Sequence, residues 1–191
     1  AEGLSRRPAA DLSDSAFARE AGARLARMGE QLESLEGSLQ DLADRGLIQL
    51  RLAETEKYAH VTYFFNAYLE EKFQNEYRVV IPSESIPHPD EHPEMMAAAI
   101  TDRLIGAIEE RAYDFILANY ANGDTIAHTG NYKASEEAVR VVDRELGRVV
   151  QAVEATDALL LITADHGNVE ELINPMTGRV ETQHDPSPVP L

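Results

Sequence analysis

From Phe17 to Leu42 the apolar positions recur every three or four residues: Phe17, Ala21, Leu25, Met28, Leu32, Leu35, Leu39 and Leu42. That spacing predicts a long amphipathic helix over 13–45, with Asp11 or Ser13 as its cap. Gly22, Gly29 and Gly37 interrupt it, each costing about 1 kcal/mol against Ala. Such a seam can pack on its own domain or form a coiled-coil contact with a second chain. The glycines favour the first, because they weaken a free-standing coil. Residues 1–12, ahead of the helix, are small, polar and proline-containing and read as a disordered tail.

After Gly46 the period changes. Residues 60–66 (HVTYFFN) and 78–82 (RVVIP) are rich in β-branched and aromatic side chains and read as strands. A proline-rich loop follows over 83–93. Pro93 opens a helix running to about Arg111, with Met96, Ile100, Leu104, Ala107 and Ile108 on one face. Residues 113–119 (YDFILAN) read as a short buried strand. Residues 134–154 read as an amphipathic helix with a stripe of Val141, Val142, Leu146, Val149, Val150 and Val153. Residues 158–163 (ALLLIT) read as a second buried strand. Strands alternating with helices predict an α/β fold over 46–191, a mostly parallel sheet with helices on both faces.

Composition narrows the chemistry. The 191 residues are 43% hydrophobic, enough for one domain with its own core. There is no cysteine, so any metal must be held by His, Asp, Glu or hydroxyl oxygens. A net charge of −17 argues against nucleic acid and anionic membrane as partners, since both demand Lys and Arg. No apolar run approaches the ~20 residues of a membrane span. Arg6 and Arg7 are not followed by an apolar stretch, so the start does not read as a secretory signal, and a cytoplasmic protein is expected.

Three polar segments each follow a strand, where open α/β sheets bind ligands. The first, 122–130 (NGDTIAHTG), puts Asp124 and His128 four apart, on one face if the loop turns helical. Alone, such a pair is more often a surface pair. The second, 163–168 (TADHGN), offers Asp165 and His166 at a strand's mouth, a mixture that suits Mn²⁺ or Zn²⁺. A capped helix start would explain it equally well. The third, 182–190 (TQHDPSPVP), contributes His184 ahead of a proline-stiffened edge strand or loop. Three His and two Asp in three such loops are the raw material of a two-metal site.

These segments, in this order and spacing, resemble the alkaline phosphatase superfamily, specifically its cofactor-independent phosphoglycerate mutase branch. Residues 51–66 (RLAETEKYAHVTYFFN) are the most specific match, and Glu94-Met95 and 146–150 (LGRVV) match as well. The resemblance covers about 39–191. It implies that Asp124, His128 and His184 hold one divalent cation, that Asp165 and His166 hold a second, and that Lys57 touches the phosphoryl group or the bridging oxygen at the catalytic centre. Mn²⁺ is the expected metal, with Zn, Co or Mg as alternatives. The implied reaction interconverts 3-phosphoglycerate and 2-phosphoglycerate in glycolysis through a phosphoserine. The family's nucleophilic Ser, one Asp ligand and an inserted substrate domain match nothing here, so the expectation is a C-terminal portion, inactive alone. Ala127 stands where the family usually has Gly, and Ala59 where Pro is common. Alternatives are a phosphatase or phosphopentomutase-like relative, disfavoured by Glu54–Lys57, and a non-catalytic metal-binding or interaction domain. Self-association through the first helix or an exposed sheet edge is also expected.

Overall fold

The computed structural model describes residues 16–174, 176–185 and 188–189; the tail expected over 1–12 lies outside them. Helix α1 runs Ala16–Asp44. Of its seam, Leu39 is buried and Leu32, Leu35 and Leu42 are half-buried, while Phe17, Ala21, Leu25 and Met28 lie outside the described side chains. Gly46, at φ +75°, ends the helix. Leu47 N–H donates back to Leu42 O at 3.0 Å and Gly46 N–H to Ala43 O at 2.9 Å, a double closure that needs a left-handed residue.

Three parallel strands form the sheet: β1 Gln49–Glu54, β2 Glu76–Ile81 and β3 Phe115–Asn119, in the order β2-β1-β3. Between β2 and β3 comes α2 (Ala97–Glu110), and after β3 come α3 (Asn122–Ala127) and α4 (Tyr132–Glu154). Gln49 sits opposite Glu76 on one side and Phe115 on the other, and this register sorts every side chain to a face. Leu52, Val79, Ile81, Ile116 and Ala118 pack beneath Ile100 and Leu104 of α2 and Val149 of α4. The opposite face carries Gln49, Arg51, Glu76 and Arg78. There the Arg51 guanidinium lies 5.1 Å from the ring centres of both Phe65 and Phe115. Burial lowers the Arg51 pKa to about 10, more than the Glu76 charge restores.

The parallel α/β architecture is the one expected, with four differences. Strand β1 was not expected, because Gln49, Arg51 and Glu54 interrupt its apolar run, yet all six of its residues are buried. Residues 60–66 are not a strand. His60–Phe64 is a π-helical turn, in which the Thr62 hydroxyl donates to Tyr58 O at 2.7 Å and His60, Tyr63, Phe64 and Tyr68 pack ring edge to ring face. Local packing of aromatics overrides their strand preference here. Directly after this turn, Phe65 stacks on Phe115 and packs against Arg51 on the polar face of the sheet. Helix α2 begins four residues later than expected, because Met95 takes φ +40°.

Residues 158–163 join no strand ladder among the described residues. Leu160 packs on the core, but Leu159 is 84% and Leu161 69% exposed. The outer edges of β2 and β3 stay unpaired among the described residues, and the segment pairs with neither.

Candidate functional site

Strand β1 ends at Glu54 and tightens into a 3₁₀ turn, Thr55–Lys57. This turn aims Lys57 inward, 2% exposed. Its ammonium Nζ donates to Asp165 Oδ2 at 2.9 Å, pairs with Asp124 Oδ2 at 3.0 Å, and lies 3.4 Å from His166 Nε2. One cation therefore bridges carboxylates carried by two different loops.

Asp124 lies in the first turn of α3 and His128 caps its end, so the four-residue spacing does become helical and puts both on one face. Asn122 fixes the start of that helix, its Nδ2 donating to Pro93 O at 2.8 Å and Glu94 O at 3.0 Å. Asp124 Oδ1 lies 3.1 Å from both His128 Nε2 and His184 Nε2, which are 3.0 Å apart. His166 stacks on His184 at 3.8 Å between ring centres. An antiparallel bridge between Gly167 and Asp185 brings His184 in. A Cβ at Gly167 would displace the Glu170 carboxylate and come within 3.1 Å of Asp185 O, so this close crossing favours glycine.

The charges are unevenly matched. Burial pushes the Asp124 carboxyl up, but hydrogen bonds from Asn168 and Lys57 and the Lys57 charge outweigh it, holding the pKa at about 2. Asp165 is lowered in the same way: burial opposes, and the Lys57 hydrogen bond and charge prevail. Burial, then the Lys57 charge, holds His60 below its ordinary value.

All six residues singled out in the sequence, Lys57, Asp124, His128, Asp165, His166 and His184, meet at this place. Asn168 was not singled out as a site residue. Its Nδ2 donates to Asp124 Oδ1 at 2.7 Å. It stood beside Asp165 and His166 in the sequence, but an uncharged amide gives no titratable signal.

The donor set suits a divalent cation. His128 Nδ1 lies 2.7 Å from Thr182 O and so carries the ring proton as a donor. In that tautomer the Nε2 lone pair faces Asp124 Oδ1, with the Asn168 amide 3.4 Å away, an arrangement that a cation bound by both groups would satisfy. Asp124, His166 and His184 also offer one ligand atom each within 4.8 Å of one another. Two imidazoles and a carboxylate are borderline-hard ligands of the kind that hold Mn²⁺ or Zn²⁺.

A model of the metalloenzyme superfamily matches residues 26–191. The chain belongs to this superfamily. Within the metalloenzyme superfamily it is 50% identical over 151 residues to a 2,3-bisphosphoglycerate-independent phosphoglycerate mutase of Chromohalobacter salexigens, covering 78% of this chain and 29% of that protein. A Pseudomonas fluorescens enzyme of the same name is 50% identical over 159 residues, 83% of this chain and 31% of its own. A crystal structure of Leishmania mexicana phosphoglycerate mutase at low cobalt concentration superposes with a TM-score of 0.75 at 33% identity, over 80% of this chain and 30% of that one. The chain thus spans under a third of the length of these relatives.

Proposed function

We propose that this chain is the metal-holding part of a phosphoglycerate mutase, which interconverts 3-phosphoglycerate and 2-phosphoglycerate in glycolysis, in the cytoplasm. The supporting observation is the convergence of the ionisable side chains of four separate segments around the two oxygens of Asp124. Identity of 50% to phosphoglycerate mutases across most of the chain supports the same reading.

In this proposal Asp124, His128 and His184 hold one divalent cation, and Asp165 and His166 contribute to a second, with Mn²⁺ favoured. Bound there, the cations would supply Lewis-acid stabilisation of charge on phosphoryl oxygens. The Thr182 carbonyl fixes the tautomer of His128, and Asn168 fixes the rotamer of Asp124. Lys57, buried and already a hydrogen-bond donor, would present its point charge to the phosphoryl group without reorganising. Among the described residues no serine hydroxyl bonds to the cluster, and the expected outcome is that the chain alone does not turn over 3-phosphoglycerate.

Calorimetry with Mn²⁺ tests the metal assignment. The expected result is about one ion per chain, bound at least tenfold more weakly by His184→Ala, since two remaining ligands hold a cation poorly against water. Equal, weak binding by both proteins would remove the first site. Turnover by the chain alone would remove the view that its nucleophile lies elsewhere.

A further inference from the structure

We infer that Ser83 is a positioning residue for Lys57. The register pairs Glu54 with Ile81, so two residues past the end of β2 the chain comes level with the turn that carries Lys57. Ser83 stands there, directly after Pro82, and binds that turn three times. Its hydroxyl donates to the buried Glu54 Oε2 at 2.9 Å and accepts from Glu56 N–H at 3.4 Å. Its own N–H donates to Thr55 Oγ1 at 3.0 Å. The residue thus bonds each of the three positions preceding Lys57.

The turn needs this support. Thr55 and Glu56 are exposed, and the turn has no side-chain cap of its own: Glu54, at its start, makes no capping hydrogen bond. Three residues of 3₁₀ helix hold their geometry poorly alone. Yet the turn must bring a buried ammonium to within 3.0 Å of two carboxylates. A shift of about 1 Å at such a site is large for chemistry that depends on placement. The hydroxyl of Ser83, at the end of the neighbouring strand, transfers the rigidity of the β1–β2 ladder to the turn.

The clasp is a statement about where Lys57 sits. Its catalytic meaning rests on the proposed phosphoryl chemistry, but the following test does not. The sequence holds three lysines, and Lys72 and Lys133 are exposed, so they serve as internal references. Acetylation of the full chain with an N-hydroxysuccinimide ester, followed by mass spectrometry, reads how often the turn opens. Ser83→Ala should raise modification of Lys57 about fivefold relative to Lys72 and Lys133, the effect of one lost hydrogen bond on a local opening. Ser83→Thr, which keeps the hydroxyl, should restore protection. Thr55→Val removes the other arm and should reproduce the Ser83→Ala result. Val149→Ala, in the core between α4 and the sheet, controls for general destabilisation and should leave the ratio near that of the wild type. An unchanged ratio in both Ser83→Ala and Thr55→Val, or an equal rise in Val149→Ala, overturns the inference. If Lys57 is released as expected while His184→Ala binds Mn²⁺ like the wild type, the clasp stands and the metal assignment falls.

Discussion

Asp124 divides its two oxygens between two neighbourhoods. Oδ2 faces Lys57, and Oδ1 faces two histidines and Asn168. Glu54, three residues before Lys57, is a carboxylate of the opposite character. It is fully buried, and burial raises its pKa above the ordinary 4.5, with the Ser83 hydroxyl offsetting only part. A raised folded-state value means that folding favours the protonated acid. That contribution is complete below the unfolded pKa and is lost as pH rises through the folded one. Glu54→Gln carries no charge at any pH, so its stability relative to wild type should improve between about pH 4 and pH 7. Thermal midpoints of both proteins at each pH check this; a gap that stays constant or moves against the variant contradicts it. Of the site, what could be read in advance was its charged membership. Ionisable residues just past strand ends announce themselves, whereas Asn168 and Ser83 matter only through whom they touch.

Elements were legible where one physical signal dominated. Helix α4 has an uninterrupted apolar stripe and was placed within two residues of its start. Strand β3 was recognisable from an apolar run. Strand β1, the centre of the sheet, was hidden because alternation puts Leu50 and Leu52 on one face while Gln49 and Arg51 sit opposite in a buried polar layer. That layer exists only through Phe65, Phe115 and Glu76, which lie far away in sequence. The 60–66 segment escaped assignment for a different reason: Tyr63 and Phe64 pack on rings of the same turn rather than on a neighbouring strand, and only Phe65 reaches across to Phe115. The weight borne by β1 is measurable. Leu52 is fully buried between the sheet and helices α2 and α4, so Leu52→Ala should cost about 2–5 kcal/mol in urea denaturation. A loss below about 1 kcal/mol would mean that the core closes over the cavity, or that β1 is not central.

For the molecule as a whole, two forces oppose each other. Both outer strands, β2 and β3, have one unpaired edge among the described residues, and Leu159, Leu161 and Ile162 of the 158–163 segment face outward. Open edges beside exposed apolar side chains promote pairing with another chain. A net charge of −17 resists it. The balance should depend on salt: self-association should grow as screening shortens the range of repulsion. Sedimentation at low and high salt should show this, and replacing both Leu159 and Leu161 by Lys should abolish it. A chain that stays monomeric at high salt would rule out such association, and a double variant that associates like the wild type would rule out the 158–163 segment as its cause.

The cluster joins residues remote along the chain: Lys57 bonds Asp165 across 108 positions, and His128 meets His184 across 56. Closing such long loops is entropically slow, and the reward arrives only after the sheet and α2 and α4 have set the scaffold. The site should therefore be a late event in folding time. In stopped-flow experiments His184→Ala should leave the refolding rate unchanged and alter only the rate of unfolding, the signature of a residue whose contacts are absent from the transition state. A matching slowdown in refolding would instead make the cluster part of the folding nucleus. If the contacts do form late, side chains chosen for chemistry can vary with little effect on the speed at which the scaffold assembles.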